Sequence, residues 1–289
     1  MTQRPAARPT TVNRGPAAAP RRDVAPRHEA VTRDLAPAIR APESTGGAPD
    51  VKQVFDRHIG SADPRQRRIA ARAFDACVPA FLPGQGESPS PEPLIHGLPL
   101  SDHRGEREVA YRELYARCAS FLRESREWLM GLQGQLRVDP DSQEPGLRAQ
   151  DQLIAGRYDQ VDAVVSQVLA GDDPAGVASL AGLAARLALL RSAETPDPDR
   201  VQRARAVDAA LTWVACDLGL DCGANSIGAL QLCAVQGMCD GDLLSRLMDQ
   251  AIADGLDYAE VKAQRARLLA LVRSGRPAGA ADLLPSTSR

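Results

Sequence analysis

Four cysteines, Cys216, Cys222, Cys233 and Cys239, fall within 24 residues of a 289-residue chain that has only six. Three chemistries use such a set. Zinc takes four thiolates in a closed tetrahedral shell, but its knuckles usually space paired ligands by about two to four residues. Both pairs here enclose five. Redox catalysis wants a Cys-x-x-Cys pair or a lone thiol in an electropositive setting, and the sequence offers neither. Structural disulfides fit better, because the count is even and each pair repeats one pattern. A cysteine is followed three or four residues on by a glycine, Gly219 or Gly237, and six residues on by the second cysteine.

A glycine just past a helix end lets the chain fold back over the last turn, which brings residues i and i+6 into disulfide range. The expected pairs are therefore Cys216–Cys222 and Cys233–Cys239. A nested arrangement, Cys216 with Cys239 and Cys222 with Cys233, is the rival. The remaining two cysteines lie in helix-period stripes. Cys77 shares a face with Phe74, Val78 and Phe81, and Cys118 with Leu114, Tyr115 and Phe121. A bridge between two helices joined by a long loop is expected there.

No other set of residues spells a reaction. The histidines are His28, His58, His96 and His103. Ser101-Asp102-His103 holds the residue types of a hydrolase triad, but a triad is assembled in space from separated positions. A metal held by His96, Asp102 and His103 is the sharper reading of that loop, and solvated side chains the plainer one. Glu108-Arg112, Glu113-Arg117 and Arg123-Glu127 are spaced as i,i+4 ion pairs on a solvent face. The chain has no Gly-x-x-x-x-Gly-Lys loop, no Gly-x-Ser-x-Gly elbow and no His-Glu-x-x-His. No catalytic residue, cofactor or metal site is expected.

The elements that must position the cysteines are helices. Aromatic residues make up 3% of the chain and hydrophobic residues 44%, so small and aliphatic side chains must fill the core between closely approaching helices. Periodicity predicts an all-α fold of antiparallel helical hairpins, as an irregular bundle or α-solenoid-like array, stapled by disulfides. Residues 1–50 hold eight prolines and eight arginines with almost no large apolar residue, and read as a disordered tail or spacer. The helical domain is expected over 51–285, with 286–289 frayed. Helices are expected at 51–59, from Pro64 through Phe81, as one rod over 107–130, and at 147–155, 158–170, 174–190, 199–217, 242–253 and 258–272. Residues 83–103 and 131–145 read as connections. Asp63-Pro64, Asp173-Pro174 and Asp197-Pro198 each place a capping side chain before a proline at the first helical position. The formal net charge of -2 and the scarcity of aromatics argue against nucleic acid as a partner. No apolar run reaches the roughly 18 to 20 residues of a membrane span.

The combination Phe74-Asp-Ala-Cys77-Val-Pro-Ala-Phe81, Tyr115-Ala-Arg-Cys118, Ala215-Cys216-Asp-Leu-Gly-Leu-Asp-Cys222, Leu232-Cys233 and Gly237-Met-Cys239 resembles a group of uncharacterised bacterial envelope proteins that are helical and cysteine-paired. The resemblance spans 51–285 and implies a compartment but no activity. Disulfides point the same way, to a periplasmic or otherwise extracytoplasmic setting. No secretory signal is legible behind Met1, as would follow if the start were truncated. Two functions are weighed. The first is a non-catalytic envelope protein presenting a helical surface to an unknown protein partner. The alternative is a helical envelope hydrolase using a groove carboxylate such as Glu113 or Glu124. A buried glutamate beside a large groove would favour the hydrolase, and carboxylates paired with cations at the surface would favour the partner-presenting protein.

Overall fold

The apolar stripes fold as α-helices through the described residues, which in the computed structural model are 50–81, 90–100, 103–171, 173–190, 197–276 and 278–284. No strand occurs among them. The tail read over 1–50, except Asp50, and the frayed terminus 286–289 lie outside the described residues. In chain order the helices are α1 (Val51–His58), α2 (Pro64–Phe81), α3 (Glu92–His96), α4 (Arg104–Arg117), α5 (Arg126–Val138), α6 (Pro145–Ile154) and α7 (Tyr158–Leu169). They continue as α8 (Pro174–Ser179), α9 (Leu183–Leu190), α10 (Pro198–Asp217), α11 (Ile227–Gln231), α12 (Leu243–Ala253), α13 (Tyr258–Ser274) and α14 (Ala280–Leu283). A 3₁₀ turn covers Phe121–Arg123, and a π-helical turn extends α11 over Leu232–Gln236.

The three Asp-Pro starts cap their helices as the sequence predicts. Asp63 accepts from the Arg65 amide at 2.9 Å, Asp173 from Gly176 at 3.0 Å and Asp197 from Asp199 at 3.0 Å. Elsewhere the expected spans are cut differently. The rod over 107–130 ends at Arg117, because Cys118 is tied to Cys77 and the chain turns Phe121 fully into the core. Glu124 is extended (ψ 155°), and the Ser125 hydroxyl then caps α5 by accepting from the Trp128 amide at 3.1 Å. Helix α5 continues through Gly131 and Gly134 to Val138, where a connection was expected. The helix expected over 174–190 divides at Gly182, whose φ of +88° suits glycine. The proline-rich segment before α4 also contains a helix, α3, because Pro93 sits in a first turn that needs no amide donor.

Two hydrophobic cores result. The first gathers Val54 and Phe55 of α1, Phe74 and Cys77 of α2, and Leu114, Cys118 and Phe121. Phe121 meets both Phe55 and Phe74 edge-on at centroid distances of 5.5 Å, a favoured aromatic arrangement. Leu230, Cys233 and Ala234, from α11 and its π turn, close this core from far along the chain. The second core belongs to α6–α10 and α12–α14. Its central helix is α10, where Ala204, Ala210 and Ala215 are fully buried and let α8, α9 and α13 approach closely. Trp213 and Asp217 on α10 hold Arg265 of α13, the ring at 4.4 Å and the carboxylate bidentately at 2.6 Å.

All six cysteines are paired: Cys77–Cys118, Cys216–Cys222 and Cys233–Cys239, with Cα separations of 5.6, 5.8 and 4.4 Å. The C-terminal pairs are the local ones. At Gly219 (φ +105°) the Leu220 amide donates to the Ala215 carbonyl and the Gly219 amide to Cys216, the bond pair of a helix that folds back on its own end. Gly237 (φ +77°) reverses the chain in the same way between Cys233 and Cys239.

Asp208 on α10 caps α9 from the side, accepting from the Ala184 and Ala185 amides at 3.0 Å. Burial pushes its carboxyl up to about 6, against the pull of these donors and of Gly182. A carboxyl with a folded pKa above its unfolded value binds its proton more tightly in the folded state. Its contribution is complete below about pH 4 and is lost as pH rises through the folded value. The stability of the native chain relative to Asp208→Asn is therefore expected to fall by as much as about 3 kcal/mol between pH 4 and pH 7. Urea melts of both proteins across that range measure it. A difference that stays flat would show that the amide donors keep the carboxyl ionised.

Candidate functional site

The residues considered for chemistry are dispersed or committed elsewhere. All six cysteines are in disulfides, which leaves no thiol for a metal or a nucleophile. Glu113 is 46% exposed and accepts from Arg117 Nε at 2.8 Å, while Glu124 lies 3.5 Å from Lys52 Nζ. Both carboxylates are at the surface and paired with cations, Glu113 with an Arg117 that is itself buried. Glu108 pairs with Arg112 as its spacing predicts. Arg123 and Glu127 fall on either side of the break at Glu124, and among the described residues no ion pair joins them. His96 is exposed at the end of α3, and His103 precedes α4 with its Nε2 3.8 Å from Asp240. Ser101 and Asp102 lie outside the described residues. Among the described residues no three His, Cys, Asp or Glu side chains are grouped to hold a metal.

Among the described residues a dense polar constellation lies where α2 meets the second core. Helix spacing puts Arg65, Arg68 and Arg72 on one face of α2. The carboxylates they face stand at the starts of other helices, where the positive end of the helix dipole favours them. Glu144 precedes α6 and Asp173 precedes α8. Arg72 clamps both: Nη2 is 3.0 Å from Glu144 Oε2 and 3.0 Å from Asp173 Oδ2, and Nη1 is 3.1 Å from Asp173 Oδ1. Arg67 is bonded to Asp141 in the α5–α6 connection. Burial opposes the charge on Arg72, but Glu144 and Asp173 outweigh it and raise the guanidinium pKa above its ordinary value. Burial likewise works against the Asp173 carboxylate, and the arginines together with the Gly176 amide hold it below the usual range.

Beside this clamp is a cavity of about 40 Å³. Arg65 and Arg68 of α2, Arg148 of α6, Gln167 of α7 and Asp173 supply its polar groups, and Pro145, Val168 and Gly171 its apolar wall. Arg68 is only 9% exposed; its Nε has no hydrogen-bond acceptor and sits 3.6 Å from Asp173 Oδ2. The Nε of Arg148 is also buried without an acceptor. Burial and then the neighbouring positive charge of Arg68 hold the Arg148 guanidinium below its ordinary range, against the pull of Asp141 and Glu144. No hydroxyl, thiol or imidazole is among the residues that line the cavity. Sequence reasoning missed this site. The signal was the run of arginines on one face of α2, with no carboxylate at i,i+4 to absorb them. A comparison with protein family models, curated proteins and solved structures finds no match for the chain.

Proposed function

We propose that this is a non-catalytic protein of the bacterial envelope, periplasmic or otherwise extracytoplasmic, whose helical surface docks another protein. Three disulfides support the compartment, since such bonds persist in oxidising surroundings. Glu113 and Glu124, each exposed and held by a cation, support a role in binding over a groove carboxylate.

The outer face of α5 carries the reading. Gly131, Gly134 and Val138 recur at helical spacing, and a methyl group added at either glycine would meet nothing within 4 Å. Val138 is 81% exposed, with Met130 and Trp128 exposed at its flanks. Glycine in an exposed helix interior costs about 1 kcal/mol relative to alanine, and what it gives in return is a surface another backbone can approach. The double variant Gly131→Ala, Gly134→Ala is expected to gain about 1 to 2 kcal/mol in a urea melt while losing its partner. A photoreactive side chain at Gln135 in the full chain, expressed in cells, should give a discrete adduct with a second protein. The adduct should vanish in the double variant and be absent when the probe is moved to Asp151 on α6. An adduct that survives the alanine pair, or none at all, would overturn the assignment.

A further inference from the structure

We infer that the cavity beside the Arg72 clamp is a binding site for a phosphate-class oxyanion, with Arg65, Arg68 and Arg148 as its cationic ligands and Asp173 as its selector. Three arginines and one aspartate line it, leaving a net charge of +2. Burying a charged donor without an acceptor is costly, and two of the lining arginines, Arg68 and Arg148, each keep an Nε buried without one, so their charge is under-compensated here. The nearby carboxylates do not supply the missing acceptors. Asp141 serves Arg67, and Glu144 serves Arg72. Asp173 is spread over Arg72 and the Gly176 amide, and its approach to Arg68 at 3.6 Å is too long for a hydrogen bond.

The donor set selects the class of anion. Guanidinium forks match pairs of oxygens, so a chloride ion would leave much of each fork unused. A carboxylate brings two oxygens to three guanidinium groups and the Gln167 amide, whereas a tetrahedral oxyanion brings four. The volume fits: about 40 Å³ is room for one such ion. Asp173 narrows the choice. Its carboxylate repels an anion unless the anion offers it a proton, and Oδ2 has the capacity to accept one more hydrogen bond. Inorganic phosphate at neutral pH retains a P–O–H group that can donate there. Sulfate has none, and a phosphate monoester, with its second pKa near 6, has mostly lost its own.

Isothermal titration of the full chain at neutral pH with inorganic phosphate, against a chloride background of equal ionic strength, tests the assignment. Saturable binding at one ion per chain is expected, with sulfate and glycerol 3-phosphate each binding at least about tenfold more weakly. Arg148→Gln and Arg65→Gln should each weaken phosphate at least about tenfold, while Arg112→Gln, which alters a surface pair on α4, should leave it unchanged. Arg65 is exposed, so its variant reports on binding even if loss of Arg148 disturbs the fold. Absence of saturation up to about 10 mM phosphate, or unchanged affinity in both arginine variants, would overturn the site. Sulfate binding as tightly as phosphate, or glycerol 3-phosphate binding more tightly, would overturn the part given to Asp173 and the P–O–H group.

Discussion

Replacing Cys77 and Cys118 together by alanine is expected to lower the unfolding free energy by about 4 kcal/mol, more than the same change at Cys216 and Cys222. The first bridge joins residues 41 apart and the second residues 6 apart. In the chain-entropy view, a longer loop restricts the unfolded state more, and the loop ratio alone is worth about 1.5 kcal/mol between the two sites. Burial adds to the difference. Cys77 and Cys118 are 0% and 1% exposed beside the Phe55, Phe74 and Phe121 cluster, so the double variant also leaves a gap where two sulfurs filled the core. The Cys216–Cys222 bridge sits at a helix end whose reversal Gly219 already supports. Urea melts of the two double variants decide the order. A larger loss at Cys216 and Cys222 would show that fixing the end of α10 matters more than closing the long loop.

The second large effect comes from one methyl group. Gly146 lies in the first turn of α6, where a Cβ would stand 1.6 Å from the Ser179 carbonyl oxygen, 2.3 Å from its carbon and 3.0 Å from the Leu180 nitrogen. Those are backbone atoms at the end of α8, which cannot rotate aside. The approach is also bonded, since the Gly146 amide donates to the Ser179 hydroxyl at 3.0 Å and that hydroxyl donates to the Gly176 carbonyl at 2.7 Å. Gly146→Ala gains about 1 kcal/mol of helix propensity, but it must push α6 off α8 and open the packing behind Leu153, Val177 and Leu180. A net loss of about 3 kcal/mol or more is expected in a denaturant melt. A variant as stable as the native chain would mean that the two helices do not cross at this distance. The same substitution at Gly131 or Gly134 is expected to stabilise, because open space and not backbone awaits the methyl there.

These contrasts show what was legible in the sequence. The Asp-Pro starts were readable because a cap and its proline are local chemistry. The C-terminal disulfides were readable because Gly219 and Gly237 mark where each helix must reverse. The break after Arg117 was hidden. Cys118 to Glu124 contains no proline or glycine, and only Ser125 signals that a new helix starts. Gly131 and Gly134 gave the opposite error: they look like breakers, yet α5 tolerates them at a modest propensity cost. The arginine clamp escaped for a different reason. Charge pairs were sought four residues apart, whereas Arg72 finds its partners 72 and 101 residues away, at helix starts set by tertiary packing.

The return of α11 and its π turn to the first core bears on how the chain is made. Leu230, Cys233 and Ala234 complete a core begun by α1, α2 and α4, and Arg107 of α4 donates to the carbonyls of Ala234 and Val235, 127 and 128 residues further on. During synthesis at about 5 to 20 residues per second, the stretch between Cys118 and Leu230 takes on the order of ten seconds to appear. Through most of that interval, until Cys216 appears, Cys77 and Cys118 are the only cysteines in the emerged chain. Wherever oxidation keeps pace with emergence of the chain, the order of the cysteines separates the long-range pairing from the local ones. The one long-range bridge can be set while no competing thiol exists, and the two late bridges need only find a neighbour six residues away.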